Sequence, residues 1–312
     1  MKASALTKTP VIIILAIICC FLWGSAFPSI KIGYRLFQIA SDDTAGQLLF
    51  AGCRFFLAGL LVTAFGSVMN RKLQVPKRTA LLPIAALASC QTIGQYFFFY
   101  IALAHTTGVK SSIITAASTF FTILFAALLF RYEKLTPAKI AGCLVGFAGV
   151  VIINLAGGGL DLHLAFNGEG FALISTIASA LASPLIKHFS QKESPMLLCG
   201  YQFMLGGLVL AVCGFCMGGR LHPTTGLAFL LLLYMACISA VAYTVWSILL
   251  KYNPVSRIAV FSFVNPVFGV ILSAALLGEQ NQAFSLYGLL ALLLVSAGIV
   301  IVYRTGAPKE SG

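Results

Sequence analysis

The sequence predicts an all-α integral membrane protein in which ten transmembrane helices form two inverted-topology five-helix repeats around a central cavity. Three observations carry that expectation. First, 60% of the 312 residues are hydrophobic and only 9% are charged, with a mean hydropathy of +0.99; soluble domains carry roughly 25% charged residues. Second, the net charge of +12 is not spread evenly. With the N-terminus inside, fifteen Lys and Arg fall on the cytoplasmic side and four (Lys31, Arg35, Lys110, Arg220) on the other, leaving Arg54 inside a span. That bias puts both termini in the cytoplasm. Third, the chain repeats itself after about 150 residues: "SAFPSIK" at 25–31 matches "LASPLIK" at 181–187, and "RFFLAG" at 54–59 matches "QFMLGG" at 202–207.

Apolar runs of about 20 residues, enough to cross a bilayer, lie at about 11–33, 47–69, 79–103, 109–130, 137–155, 168–188, 195–217, 225–250, 256–277 and 283–303. The connections are short and leave no room for a separate catalytic domain. The first run has no small-residue cleavage site and is followed by more spans, which makes it a retained helix. The repeats divide the chain at 1–155 and 156–312. Five is odd, so the second repeat enters from the opposite side, the arrangement that marks secondary transporters.

The first span carries Trp23, Gly24, Ser25, Pro28 and Lys31. Pro28 and its repeat partner Pro184 each remove a backbone hydrogen bond, which makes them hinge candidates. Their small neighbours let helices approach, and Lys31 and Lys187 are expected to snorkel to opposite interfaces. In the second span Arg54 is the one full charge within the membrane. It reads either as a counter-ion for a substrate carboxylate or as an interfacial anchor.

The third span places Gln91, Gln95 and Tyr96 on the inner face and Tyr100 toward an aromatic belt. The fourth offers a hydroxyl stripe of Thr115, Ser118 and Thr119, and the sixth a stripe of Thr176, Ser179 and Ser183. Single hydroxyls also serve as helix-packing glue or bond back to their own carbonyls. The fifth and tenth spans open with the same Glu-x8-Gly spacing, Glu133 to Gly142 and Glu279 to Gly288. In the seventh, Cys213 and Cys216 form a CxxC without a nearby His or carboxylate, which reads as packing. All nine Cys fall within spans, where they act as small hydrophobes. The eighth span supplies Ser239, Tyr243 and Trp246, and the ninth Ser262, Asn265 and a third hinge candidate, Pro266.

From these a substrate-binding set follows: Trp23, Ser25, Gln91, Gln95, Tyr96, Thr115, Thr119, Ser179, Tyr243, Trp246 and Asn265. Amides are costly to leave unpaired in lipid, and Trp and Tyr offer an apolar wall with a polar handle. All eight carboxylates fall in loops or at helix ends, and so do the four His. No acid is placed to carry a proton or Na+ through the core. No metal or other cofactor is expected.

"WGSAFPSIK", Arg54 in "RFFLAG", "YIAL" before the fourth span and the paired Glu-x8-Gly together resemble the EamA branch of the drug/metabolite transporter superfamily, over nearly the whole chain. The resemblance implies two inverted five-helix bundles and a carrier of small metabolites, often an amino-acid exporter. This chain departs from the pattern at Thr119-Phe120, where the family usually has a Pro, and in glycine spacing, seven from Gly142 to Gly149 but ten from Gly288 to Gly298.

The expected activity is alternating-access transport of an amino acid or similar neutral or zwitterionic solute, outward, as a facilitator or exchanger. Efflux of drugs or cationic metabolites and a channel-like pore are the alternatives. An intramembrane enzyme lacks a base or metal set inside the bilayer. The expected setting is the inner (plasma) membrane. The expected partners are lipids and a small-molecule substrate, without nucleic acid, and the expected state is a monomer, with a dimer as the alternative.

Overall fold

The structure is a computed structural model that describes residues 5–105, 114–155, 166–277 and 286–305. Among these residues the chain is helical between short connections, and no strand occurs. The elements are α1 (Thr9–Leu36), α2 (Thr44–Met69), α3 (Arg78–Leu87), a π-helical turn (Ala88–Gly94), α4 (Gln95–His105), α5 (Ser118–Leu128) and α6 (Pro137–Leu155). A second π turn (Phe166–Gly170) leads into α7 (Phe171–Phe189), followed by α8 (Pro195–Cys216), α9 (Gly226–Tyr252) and α10 (Val255–Ala259). A 3₁₀ turn (Val260–Phe263), α11 (Val264–Leu277) and α12 (Leu286–Thr305) complete the order.

Six helical stretches are long and apolar enough to cross a membrane, and shorter apolar helices occupy other apolar runs. Local chemistry sets their starts. Pro137 and Pro195 occupy first positions, where a missing N–H costs nothing. Asp43 caps α2 by accepting the Gly46 N–H at 2.8 Å. Leu208, Phe215, Leu230 and Leu293 point outward and are exposed, as lipid-facing residues must be.

Lipid tails are as apolar as leucine, so helices associate here through close packing. The α2–α8 and α6–α12 pairs are the most extensive contacts. A Cβ at Gly207 would meet the backbone of Phe56 and Gly52, and one at Gly298 would meet the backbone of Gly142 and Gly146. Around these pairs α1 packs on α9 and α11, while α7 packs on α4 and α5.

Both interior prolines sit within unbroken helices, Pro28 in α1 and Pro184 in α7. Pro266 lies in the first turn of α11. Lys187 is half-buried. Its Nζ donates to the Leu250 and Asn253 carbonyls at 3.1 and 2.6 Å, neutralising the negative end of α9. Tyr100 is no belt residue. It is 4% exposed, in a core cluster with Phe55 and Tyr243.

Candidate functional site

Part of the aromatic and polar set of the spans meets where α1, α2, α4, α8 and α9 come together. Trp23 on α1 stands 5.0 Å, centroid to centroid, from both Tyr243 and Trp246 on α9, each in edge contact. Tyr243 also meets Phe203 of α8 at 5.0 Å, and Phe203 stacks on Phe55 of α2 at 5.3 Å. Tyr96 closes the group, 4.5 Å from Phe55 and with its hydroxyl 3.0 Å from that of Tyr243. Each ring pair adds about 0.5–1.5 kcal/mol beyond area burial. The result is a rigid aromatic wall with hydroxyl and indole groups set into it.

Arg54 adjoins this wall. It is 4% exposed, and its Nε donates to Ser239 Oγ at 3.1 Å across the α2–α9 contact. The phenols of Tyr34, Tyr100 and Tyr243 lie within the field of its charge. The side chain is enclosed by protein, as an intramembrane charge must be when it does not face water.

The π turn before α4 forms a second polar centre. A π turn widens the helix by one residue per turn and turns side chains toward a neighbour. Here it points Gln91 and Thr92 at Gln202 of α8. The Gln202 Nε2 donates to Gln91 Oε1 at 3.0 Å, and Thr92 Oγ1 donates to Gln202 Oε1 at 2.9 Å. Gln202, 1% exposed, was not in the expected set. Its signal lay in the internal match, where it occupies the position of Arg54.

The other expected residues divide. Ser25 is buried, bonding back to the Leu22 carbonyl at 2.8 Å and facing the Tyr234 hydroxyl at 3.1 Å, which is helix packing. Gln95 is half-buried, and its carbonyl accepts from Ser175 Oγ at 2.6 Å. Thr115, Thr119 and Ser179 belong to the contact of α7 with the helical residues 114–128, away from the aromatic wall; Thr119 is 3% exposed. Asn265, on α11 against α1, buries an Oδ1 without a partner, and the Trp23 indole Nε1 is likewise buried and unpaired. Gln74 Oε1, Arg257 Nε and the Tyr303 hydroxyl are buried without a partner as well.

A third centre lies where α9 ends and α6 and α10 begin. Glu133, expected in a loop or at a helix end, is 9% exposed at its side chain. Its Oε1 accepts the Ser256 N–H at 2.8 Å, and its Oε2 accepts from Ser256 Oγ and from Lys139 Nζ. Lys139, counted with the cytoplasmic charges, is 3% exposed and also donates to the Lys134 carbonyl at 3.0 Å. The carboxylate thus ties the turn before α6 to the start of α10. A cavity of about 400 Å³ beside it is lined by Glu133, Lys139, Lys187 and Asn253 among others. Among the described residues no three His, Cys, Asp or Glu approach closely enough to hold a metal ion.

This arrangement brings aromatic faces, hydroxyl donors and one cation together. It contains no nucleophile with a base. The profile of the EamA-like transporter family matches residues 10–155 and again 166–304. Among relatives, an "Uncharacterized transporter YvbV" of Bacillus subtilis (strain 168) is 25% identical over 319 residues, covering 100% of this chain and 97% of that protein. A "Probable amino-acid metabolite efflux pump" of Salmonella typhimurium is 28% identical over 305 residues, 92% of this chain and 93% of that one. The "Uncharacterized inner membrane transporter YedA" of Escherichia coli (strain K12) is 26% identical over 270 residues, 83% and 80% of the two chains. A solved crystal structure superimposes with a TM-score of 0.76 at 19% identity, covering 97% of this chain and 100% of the other, a likeness of fold. Two matched stretches that together span most of the helical chain place this protein in the EamA-like transporter family, as a membrane transporter and not an enzyme.

Proposed function

We propose that the chain exports a small metabolite, an amino acid or a similar neutral or zwitterionic solute, as a facilitator or exchanger working by alternating access. Ten helices in two inverted halves, 1–155 and 156–312, would surround the site, with both termini in the cytoplasm. The observation that carries this reading is the aromatic centre. It draws Trp23 and Tyr96 from the first half and Tyr243 and Trp246 from the second, and it adjoins the unpaired Trp23 Nε1. A solute there touches both halves and responds to their relative motion.

The packing pattern supports the inverted relation. Exchange the halves, and the α1 contacts with α9 and α11 become the α7 contacts with α4 and α5, while α2–α8 and α6–α12 map onto themselves. Pro28, Pro184 and Pro266 are the hinge positions in this mechanism, and the Glu133–Ser256–Lys139 cluster is the closed inner gate. Separation of those helix ends opens the site to the cytoplasm. The Salmonella relative named as an amino-acid metabolite efflux pump favours this solute class.

The test is counterflow. Purified protein in liposomes preloaded with an unlabelled amino acid should accumulate the labelled one transiently and saturably. Flux that rises linearly with concentration and shows no counterflow would indicate a pore.

A further inference from the structure

Arg54 is accommodated differently from the two lysines that the protein shields, Lys139 and Lys187. Lys139 is paired with Glu133, and Lys187 is bound to two carbonyls at the end of α9. Those are the usual ways in which a buried positive charge is accommodated. Arg54 has neither. Among the described residues no carboxylate pairs with it, and its guanidinium makes one hydrogen bond, to the neutral Ser239 hydroxyl. Around it stand the Phe55 ring, 5.1 Å from its guanidinium carbon, and the phenols of Tyr34, Tyr100 and Tyr243, which offer a π face and dipoles but no countercharge.

The architecture itself does not call for this charge. At the matching position of the second half stands Gln202, neutral and fully bonded to Gln91 and Thr92. The same helix pair, α2 with α8, packs around both positions. A buried unpaired cation costs several kcal/mol, so its retention beside the aromatic centre points to a partner that comes and goes.

We propose that Arg54 is the carboxylate-binding residue of the transport site. Its Nε is held by Ser239, which leaves the two terminal nitrogens as a fork, and a fork matches the two oxygens of a carboxylate. The tyrosine hydroxyls beside it donate to the same oxygens. The rest of the solute lies against Trp23, Tyr96 and Tyr243. The ligand class is therefore a small carboxylic acid, with or without an amine, and not an amine, amide or sugar. This inference rests on the carrier reading above and adds to it the group that the site recognises.

Both tryptophans of the chain, Trp23 and Trp246, lie in the aromatic centre, so intrinsic tryptophan emission reports this site alone. The experiment titrates purified full-length protein with the common amino acids, their α-amides and their decarboxylated amines, following that emission. At least one amino acid is expected to change the emission saturably, with its amide and its amine each at least about tenfold weaker, the loss of one charge-assisted contact. Arg54→Gln should weaken the acid about tenfold or more and leave the amide unchanged, while Arg54→Lys should keep part of the affinity. Equal binding of acid and amide overturns the proposal, as does unchanged acid binding in Arg54→Gln, or a panel in which no carboxylate binds. If Arg54→Gln does not fold, the acid-to-amide comparison in the unaltered protein still decides. Counterflow of a solute without a carboxylate would sink the Arg54 assignment and leave the carrier standing. Absence of any counterflow would sink the carrier itself.

Discussion

Substitution of Glu133 by Gln tests the inner gate most directly. In the closed arrangement the carboxylate accepts from the Ser256 N–H, the Ser256 hydroxyl and Lys139 Nζ, and the ammonium is 3% exposed. Gln keeps the shape and one acceptor but removes the charge, leaving Lys139 buried without a counter-ion. Loss of one partner of a buried pair costs about 3–5 kcal/mol. The cost falls on the closed state, because separation of the helix ends gives Lys139 to water. About 3 kcal/mol is roughly a hundredfold shift toward the open gate. Native Cys20 is a suitable reporter: it is fully buried and donates to the Phe261 carbonyl, between α1 and the 3₁₀ turn that follows α10. With Cys20 as the one cysteine retained, Glu133→Gln should raise its rate of maleimide modification about 100-fold. Adding Lys139→Met, which removes the stranded charge, should return the rate most of the way, because deleting both partners of such a pair costs little. Glu193→Gln, at an exposed contact with Thr79, should change nothing. A Glu133→Gln rate within about twofold of the parent would refute the gate, since it would mean that the pair adds no free energy to the closed state.

Three further outcomes are expected. A cysteine at Asn167 in a Cys-less background should react with an impermeant maleimide on intact cells; reaction only after permeabilisation would reverse the orientation. Pro28→Ala and Pro184→Ala should slow counterflow more than they weaken binding, because both prolines lie inside continuous helices and neither is among the aromatic residues of the centre; parent rates in both would show that the prolines are merely tolerated. Counterflow should be nearly flat between about pH 6 and 8, because no side-chain type at the site has a reference pKa in that window. No proton is then bound or released with the solute, so the slope against pH has neither sign, and stoichiometric proton movement would contradict the facilitator reading.

The sequence made the apolar runs and the helix starts legible because length, hydropathy and proline act locally. Trp23, Tyr96, Tyr243 and Trp246 were recognisable as one group for a similar reason: an aromatic ring with a polar handle deep in a span has few uses. What stayed hidden was partnership. Ser239 lies 185 residues from Arg54, and nothing near either residue announces the bond. Glu133 could be placed in a loop or at a helix end, and only the fold brings the start of α10 over it. The π turn of Ala88–Gly94 left no trace in the periodicity, so Gln91 could be placed on an inner face but not matched to Gln202. Gln202 was visible only as the counterpart of Arg54, a clue that depends on comparing the halves and not on either alone.

The long reach of the Arg54–Ser239 bond also bears on how the protein is made. An arginine at the centre of a membrane helix raises the free energy of insertion by about 2.5–3.5 kcal/mol. α2 must enter the bilayer with that charge before α9 exists, and the α8 surface that packs its glycines is not yet synthesised either. At about 5–20 residues per second, 185 residues separate the two events by roughly 10–40 s. During that interval the nascent first half depends on lipid headgroups, neighbouring helices or the insertion machinery to shelter its arginine. A ribosome that stalls before α9 would leave an orphaned half with an unsated charge, a natural target for membrane quality control. Two halves expressed as separate chains should rescue one another, because their seams are complementary and neither seam is complete alone.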